Sequence, residues 1–222
     1  MSARASGVVV AGGRGMRLGL GRPKAFAEIG GKTLLARAEE VLAVLCDEIV
    51  IAAPADLPLP AHRFPRVADV PGAAGPLSGI VAGLRALRGG PAIVLGVDFP
   101  LMRPETLGAL LERLGGESAV IPAPGGRLQP LAAVYAESAA ESLGASLALG
   151  ERSAVAAAMG LDPLVITDAD LARLESGLEC FFNLNTQEDL GEAERRLATL
   201  APECQPGAAD LTKARRAAGG PA

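Results

Sequence analysis

The residues of this chain that could do chemistry fall into a few short stretches. Ala11-Gly12-Gly13-Arg14-Gly15-Met16-Arg17-Leu18-Gly19 is glycine-rich and basic, and Lys24 follows after another turn. Glycines let main-chain N–H groups approach phosphate oxygens without a Cβ in the way, while Arg17 and Lys24 offset phosphate charge. Phosphate handling is the chemistry suggested; for the loop alone, a glycine-rich turn with solvated bases is the alternative. Two familiar fingerprints fail. A Gly-x-Gly-x-x-Gly dinucleotide loop needs glycine where Leu18 or, in the later frame, Lys24 stands. Gly31-Lys32-Thr33 resembles the end of a Walker A loop, but Phe26 occupies the place of its opening glycine.

Carboxylates and amides form the second group. Ile93–Val97 is a continuous apolar run that leads straight into Asp98-Phe99-Pro100. A lone carboxylate there suits Mg²⁺, which keeps several waters and binds few protein groups; a turn or capping Asp ahead of Pro104 is the other reading. Asp69, in Ala68-Asp69-Val70-Pro71, is either a ligand contact or a loop residue. Gly75-Pro76-Leu77-Ser78-Gly79-Ile80 opens a helix whose unpaired N–H groups could read a base edge or an anion. Asn183 and Asn185 offer amide donors and acceptors, or serve as turn and capping groups.

These residues need a scaffold, and the pattern supplies one. Short β-branched runs alternate with longer Ala/Leu segments, which predicts an α/β sandwich around a mainly parallel sheet. Strands are expected at 7–11, 48–52, 92–97 and 164–166, and helices at 33–44, 77–87, 104–114, 138–149, 153–158 and 186–200. Residues 54–65 read as loop. Strands at 119–122 and 131–135, joined through Gly125-Gly126, are expected to pair as an antiparallel hairpin. Thr186 is the expected N-cap of the last helix, with Asp189 completing an acidic capping box. Residues 1–201 form the expected domain, and 202–222, rich in Pro, Gly and Ala without an apolar face, the expected mobile tail.

Composition narrows the partners. Aromatic residues make up 3% with no Trp, and the net charge is −4, which argues against nucleic acid. No apolar run reaches the ~18 residues of a membrane span, and no signal peptide is evident, so no membrane is involved and a cytoplasmic setting is expected. Cys46, Cys180 and Cys204 are widely spaced and read as reduced thiols, and His62, the sole histidine, as a surface loop residue.

Taken together, Ala11-Gly12-Gly13, Arg17-Leu18-Gly19, Lys24, Gly30-Gly31-Lys32, Gly75-Pro76-Leu77-Ser78-Gly79, Asp98-Phe99-Pro100 and Asn183-Leu184-Asn185-Thr186-Gln187-Glu188-Asp189 resemble the molybdenum cofactor guanylyltransferases over about residues 6–200. The resemblance implies a three-layer α/β/α sandwich with a mainly parallel, Rossmann-like sheet of the nucleotidyltransferase type. It implies transfer of GMP from GTP to the terminal phosphate of Mo-molybdopterin, with Mg²⁺ as cofactor. By the same resemblance, Val10, Ala11, Gly12, Gly13, Lys24, Asp69, Gly79 and Asp98 bind the nucleotide, and Lys24, Arg17 and Asp98 carry the reaction. Asp98 holds the metal, and Arg127, Gln129, Arg152, Asn183 and Asn185 face the acceptor. Molybdoenzymes that accept the cofactor, or their chaperones, are the implied protein partners. Gly12, where related cytidylyltransferases commonly have Ala, leaves room for a purine and favours GTP over CTP.

Two features depart from that family. The Gly19–Lys24 gap is one residue longer, with Arg22-Pro23-Lys24 similar to sugar and isoprenoid nucleotidyltransferases. Ala52-Ala53-Pro54 stands where the family often has a base-contacting Asn, so a backbone contact is the expected substitute. Rival readings are cytidylyl transfer to molybdopterin, a sugar or isoprenoid phosphate as acceptor, a non-catalytic GTP-binding module, and a redox Rossmann enzyme.

Overall fold

Val8 and Val10 point to one face of β1 (Ala5–Val10), and Val9 with the following Ala11 to the other, because side chains alternate along a strand. That alternation recurs in β4 (Cys46–Ala53) and β6 (Ala92–Gly96) and produces two separate apolar cores, one on each side of the sheet. The computed structural model describes residues 5–174 and 177–199; the expected tail, 202–222, and Cys204 lie outside the described residues.

Among the described residues, seven strands form the main sheet. With β5 (Arg66–Ala68), β7 (Ala119–Pro122), β8 (Ala132–Tyr135) and β9 (Leu164–Ile166), its order is β5-β4-β1-β6-β8-β7-β9. Only β8 runs against its neighbours; β1 pairs in parallel with both β4 and β6. The expected hairpin is there, since β7 pairs antiparallel with β8. A small hairpin of β2 (Glu28–Ile29) and β3 (Lys32–Thr33) stands apart and turns at Gly30-Gly31, so that Gly31-Lys32-Thr33, the stretch resembling the end of a Walker A loop, is the turn and second strand of this hairpin.

Helices α1 (Leu34–Leu45), α3 (Pro104–Glu112), α6 (Asp168–Leu171) and α7 (Gln187–Thr199) contribute Leu35, Leu107, Leu171 and Ala193 to one core. On the other face, α2 (Pro76–Ala86), α4 (Ala139–Ala148) and α5 (Ala154–Met159) contribute Ile80, Leu143 and Ala157. The three-layer α/β/α expectation therefore holds. Among the described residues no helix is long and apolar enough to cross a membrane.

One contact decides how α2 meets the sheet. A Cβ on Gly83 would overlap Val8 Cγ1, and one on Gly79 would lie 3.0 Å from Val10 Cγ1. These bare positions, one turn apart, let α2 lie directly on β1 and bring its first turn beside the end of that strand. Elsewhere the helix starts follow local signals: Thr33 Oγ1 caps α1, and Thr186 and Asp189 exchange bonds at the head of α7, the expected capping box. His62 is exposed in its loop, as expected.

Candidate active site

β1, β4, β5 and β6 are parallel, so their carboxyl ends open at one edge of the sheet. The chain goes from β1 outward to β4 and β5, then returns through α2 to β6 on the other side of β1, which makes this edge a switch point of the topology. A cleft of about 420 Å³ lies there. Strand ends supply much of its lining: Val10, Gly12 and Gly13 follow from β1, Pro54 from β4, Asp69 from β5, Val97 and Asp98 from β6. Leu131, entering β8 in the opposite direction, closes the same edge, while Gly75, Pro76 and Gly79 come from the start of α2. A larger surface hollow, about 750 Å³, lies near Ala92 and Ala136 at the other end of the sheet and is lined by Arg85, Arg88, Glu137 and Glu141.

The glycine-rich loop folds back on the segment that carries Lys24. Lys24 N donates to Gly13 O at 3.0 Å, and Gly15, at φ 68°, lies so close that a Cβ there would sit 2.7 Å from Arg22 O. Left-handed turns at Gly19 and Gly21 lie between the glycine-rich loop and Lys24, which lines the cleft. Its side chain is buried, with 9% of the residue exposed. Lys24 also borders a second hollow of about 210 Å³, together with Arg14, Met16 and Asn185.

Lys24 and Asp98 are joined by amides. Lys24 Nζ donates to Asn185 Oδ1 (3.2 Å), Asn185 Nδ2 to Asn183 Oδ1 (2.7 Å), and Asn183 Nδ2 to Asp98 Oδ2 (3.1 Å). Burial pushes the Asp98 carboxyl above the ordinary range, and the Lys24 charge with the Asn183 hydrogen bond pulls it back. On the opposite wall, Asp69 Oδ1 is buried and has no hydrogen-bond partner among the described residues. Burial raises its pKa too, opposed by Arg66. Asp69 flanks two of the cleft's glycines: a Cβ on Gly12 would lie 3.8 Å from its Oδ2, and one on Gly79 3.6 Å from its Oδ1. An orphaned acceptor there is suited to a ligand N–H or O–H. The backbone beside it is already engaged, since the carbonyls of Ala52, Ala53 and Pro54 accept from Ala11, Asp69 and Leu57.

Most residues expected at the nucleotide are thus brought together: Val10, Gly12, Gly13, Lys24, Asp69, Gly79 and Asp98 line one cleft. Ala11 lies directly beneath, fully buried, with its N–H on Ala52 O. The Arg17 side chain lies outside the described residues. The residues expected at the acceptor do not converge. Arg127 and Gln129 occupy the β7–β8 connection, with Gln129 Nε2 donating to Arg127 O. Arg152 lines neither cavity; its Nη1 donates to Leu147 O and Glu151 O and so caps the end of α4. Sequence reasoning did not single out Arg14, which borders both cavities and pairs with Asp56 at 3.5 Å. Its place beside Gly13 in the loop was the available signal.

For a divalent cation the donor set is sparse and hard. Among the described residues no group of three or more His, Cys, Asp or Glu gathers to hold a metal. Asp98 alone therefore fits Mg²⁺ only where water and phosphate oxygens complete the shell.

A glycine-rich main-chain cradle, a buried ammonium and a carboxylate at the carboxyl edge of a parallel sheet define a nucleotide-handling α/β protein. The chain belongs to the family described as MobA-like NTP transferase domain, whose model matches residues 7–175. It is 34% identical over 203 residues to "Molybdenum cofactor guanylyltransferase" of Pseudomonas putida, covering 88% of this chain and 93% of the relative. It is 35% identical over 206 residues to "Probable molybdenum cofactor guanylyltransferase" of Chloroflexus aggregans, covering 87% and 95%. Among solved structures, molybdopterin-guanine dinucleotide biosynthesis protein A of Archaeoglobus fulgidus matches with a TM-score of 0.73 at 27% identity, over 87% of this chain and 98% of that one. A 2-C-methyl-D-erythritol 4-phosphate cytidylyltransferase from Thermus thermophilus shares the fold, with a TM-score of 0.65 at 19% identity over 88% of this chain and 99% of the other.

Proposed function

We propose that this chain transfers GMP from GTP to the terminal phosphate of Mo-molybdopterin, releasing diphosphate and forming the guanine dinucleotide cofactor. The observation that carries this reading is the convergence of the Gly12–Gly13 backbone, the Lys24 ammonium and the Asp98 carboxylate at one edge of the sheet. The names of the relatives supply the acceptor.

The attacking group is a phosphate oxygen that is already ionised, so no protein nucleophile or general base is required. A new P–O bond forms at the α-phosphorus, the bond to the bridging oxygen breaks, and its electrons leave with diphosphate. The obstacle is repulsion among anions, and catalysis rests on positioning and charge neutralisation. Lys24, with Arg17 from the same loop, offsets charge on the phosphates and on the departing diphosphate. Asp98 would hold Mg²⁺, whose charge offsets that of the phosphate oxygens when bound. Asp69 and the bare positions Gly12 and Gly79 take the nucleoside, with room for a purine. Arg127 and Gln129 remain the proposed acceptor-side contacts, on the loop that leads into Leu131. The product would pass to molybdoenzymes or their chaperones, and a cytoplasmic setting accords with the reading.

The test is product analysis. Mass spectrometry of a reaction containing GTP, Mg²⁺ and molybdenum-loaded pterin is expected to show the guanine dinucleotide. A nucleoside diphosphate sugar or isoprenoid formed in its place from matching phosphates would move the assignment to another acceptor.

A further inference from the structure

We infer that Asn183 and Asn185 are positioning residues: their amides form a relay that fixes the Lys24 ammonium and the Asp98 carboxylate relative to one another, and the acceptor is bound by other groups. The reaction they serve is the proposed guanylyl transfer, but the relay itself stands on geometry alone. An ammonium can only donate, so the Asn185 carbonyl faces Lys24 Nζ, at 3.2 Å. That turns the Asn185 amino group onto the Asn183 carbonyl, at 2.7 Å. The Asn183 amino group is left for Asp98, at 3.1 Å, and an ionised carboxylate can only accept. The two charged ends thus dictate the direction of both amides, and a chain whose dipoles all run one way is strengthened along its length.

The backbone carrying the relay is fastened independently. Leu184, between the two asparagines, is fully buried, and its N–H donates to Asp98 O at 2.9 Å. The N–H groups of Asn185 and Thr186 donate to the Asp189 carboxylate at 2.7 and 2.8 Å. The segment is therefore held to the end of β6 on one side and to the head of α7 on the other. Each amide has its carbonyl and an N–H engaged before any acceptor arrives, which suits a strut better than a ligand contact. These are also the only asparagines in the 222 residues, which makes the relay separately observable.

The experiment uses full-length protein labelled with ¹⁵N at asparagine alone, without ligand or metal, so that just two side-chain amide groups give NMR signals. Lys24→Met is expected to move both the Asn185 and the Asn183 side-chain signals, and Asp98→Ala, which adds no labelled amide, to move both from the other end. Displacement confined to the nearest amide in each variant would overturn the relay. In kinetics with GTP and molybdenum-loaded pterin, Asn183→Ala and Asn185→Ala should each lower kcat by about 10- to 100-fold, the loss of one hydrogen bond to a charged partner. The acceptor KM should stay unchanged, and the double variant should fall no further than the worse single one. A raised acceptor KM with kcat preserved would make the amides acceptor contacts and contradict the inference. Absence of turnover in the wild-type protein would count against the proposed reaction, while the NMR arm would still decide the relay.

Discussion

In the proposed reaction Lys24, Asp98, Asp69 and Gly12 act in separable ways. Lys24→Ala removes one preorganised charge from the reacting phosphates and is expected to cost about 2.7–4 kcal/mol of barrier, a loss of about 100- to 1,000-fold in kcat with the fold retained. Steady-state rates beside a thermal melt check both halves. Asp69 makes a pH-dependent prediction. Burial raises its folded-state pKa above the unfolded value, so between those two values the folded protein holds a proton that the unfolded chain releases. Stability therefore falls as pH rises through that window, and the penalty persists at neutral pH. Asp69→Asn should unfold at higher urea than wild type at pH 7, with the advantage vanishing under acid conditions, and its nucleotide affinity should drop. For Gly12, an added Cβ would lie 3.3 Å from Pro54 Cδ and narrow the base site. Gly12→Ala should lower kcat/KM for GTP relative to CTP by about tenfold or more, the effect of one carbon in a close-fitting pocket. At this scale Lys24 and Asp98 were legible in the sequence from residue type and setting. The amide relay was not, because its bonds span 161 and 85 positions along the chain and only the fold brings them together.

At the scale of elements, α2 is the part whose packing sets the cleft, since its first turn supplies Gly75, Pro76 and Gly79. Gly83→Ala should overpack the contact with Val8 and cost about 1–3 kcal/mol in chemical denaturation. Adding Val8→Ala should cost less than the sum of the single changes, because the two sites share one space. Full additivity would mean that the helix reseats elsewhere. The strong elements were visible in advance: β6 reads as an unbroken apolar run, and the Gly125-Gly126 turn marks the β7–β8 hairpin. What escaped were the elements too short to show a period. β2 and β3 have two residues each, β5 three and α6 four, and β5 lies at the edge of the sheet with Ala68 exposed. Arg152, expected at the acceptor, has a packing role that the sequence did not reveal. In the fold its guanidinium caps α4, a role that the Gly150–Ser153 stretch does not distinguish from phosphate binding.

In the whole molecule, the parallel strands on both sides of β1 bring Val10, Gly12, Asp69 and Asp98 to one edge, so the sheet's topology, more than any single residue, creates the cleft. The chain matches proteins named as guanylyltransferases along nearly its full described length, yet a cytidylyltransferase shares the same fold. Fold alone therefore leaves the base and the acceptor open, and the site must choose them. The most direct measurement is the rate of diphosphate release from each of the four ribonucleoside triphosphates with Mg²⁺, with and without molybdenum-loaded pterin. The account predicts rapid release from GTP, dependent on the pterin and abolished by chelation of the metal. Faster release from CTP, or equal release from GTP when the pterin is withheld, would contradict it.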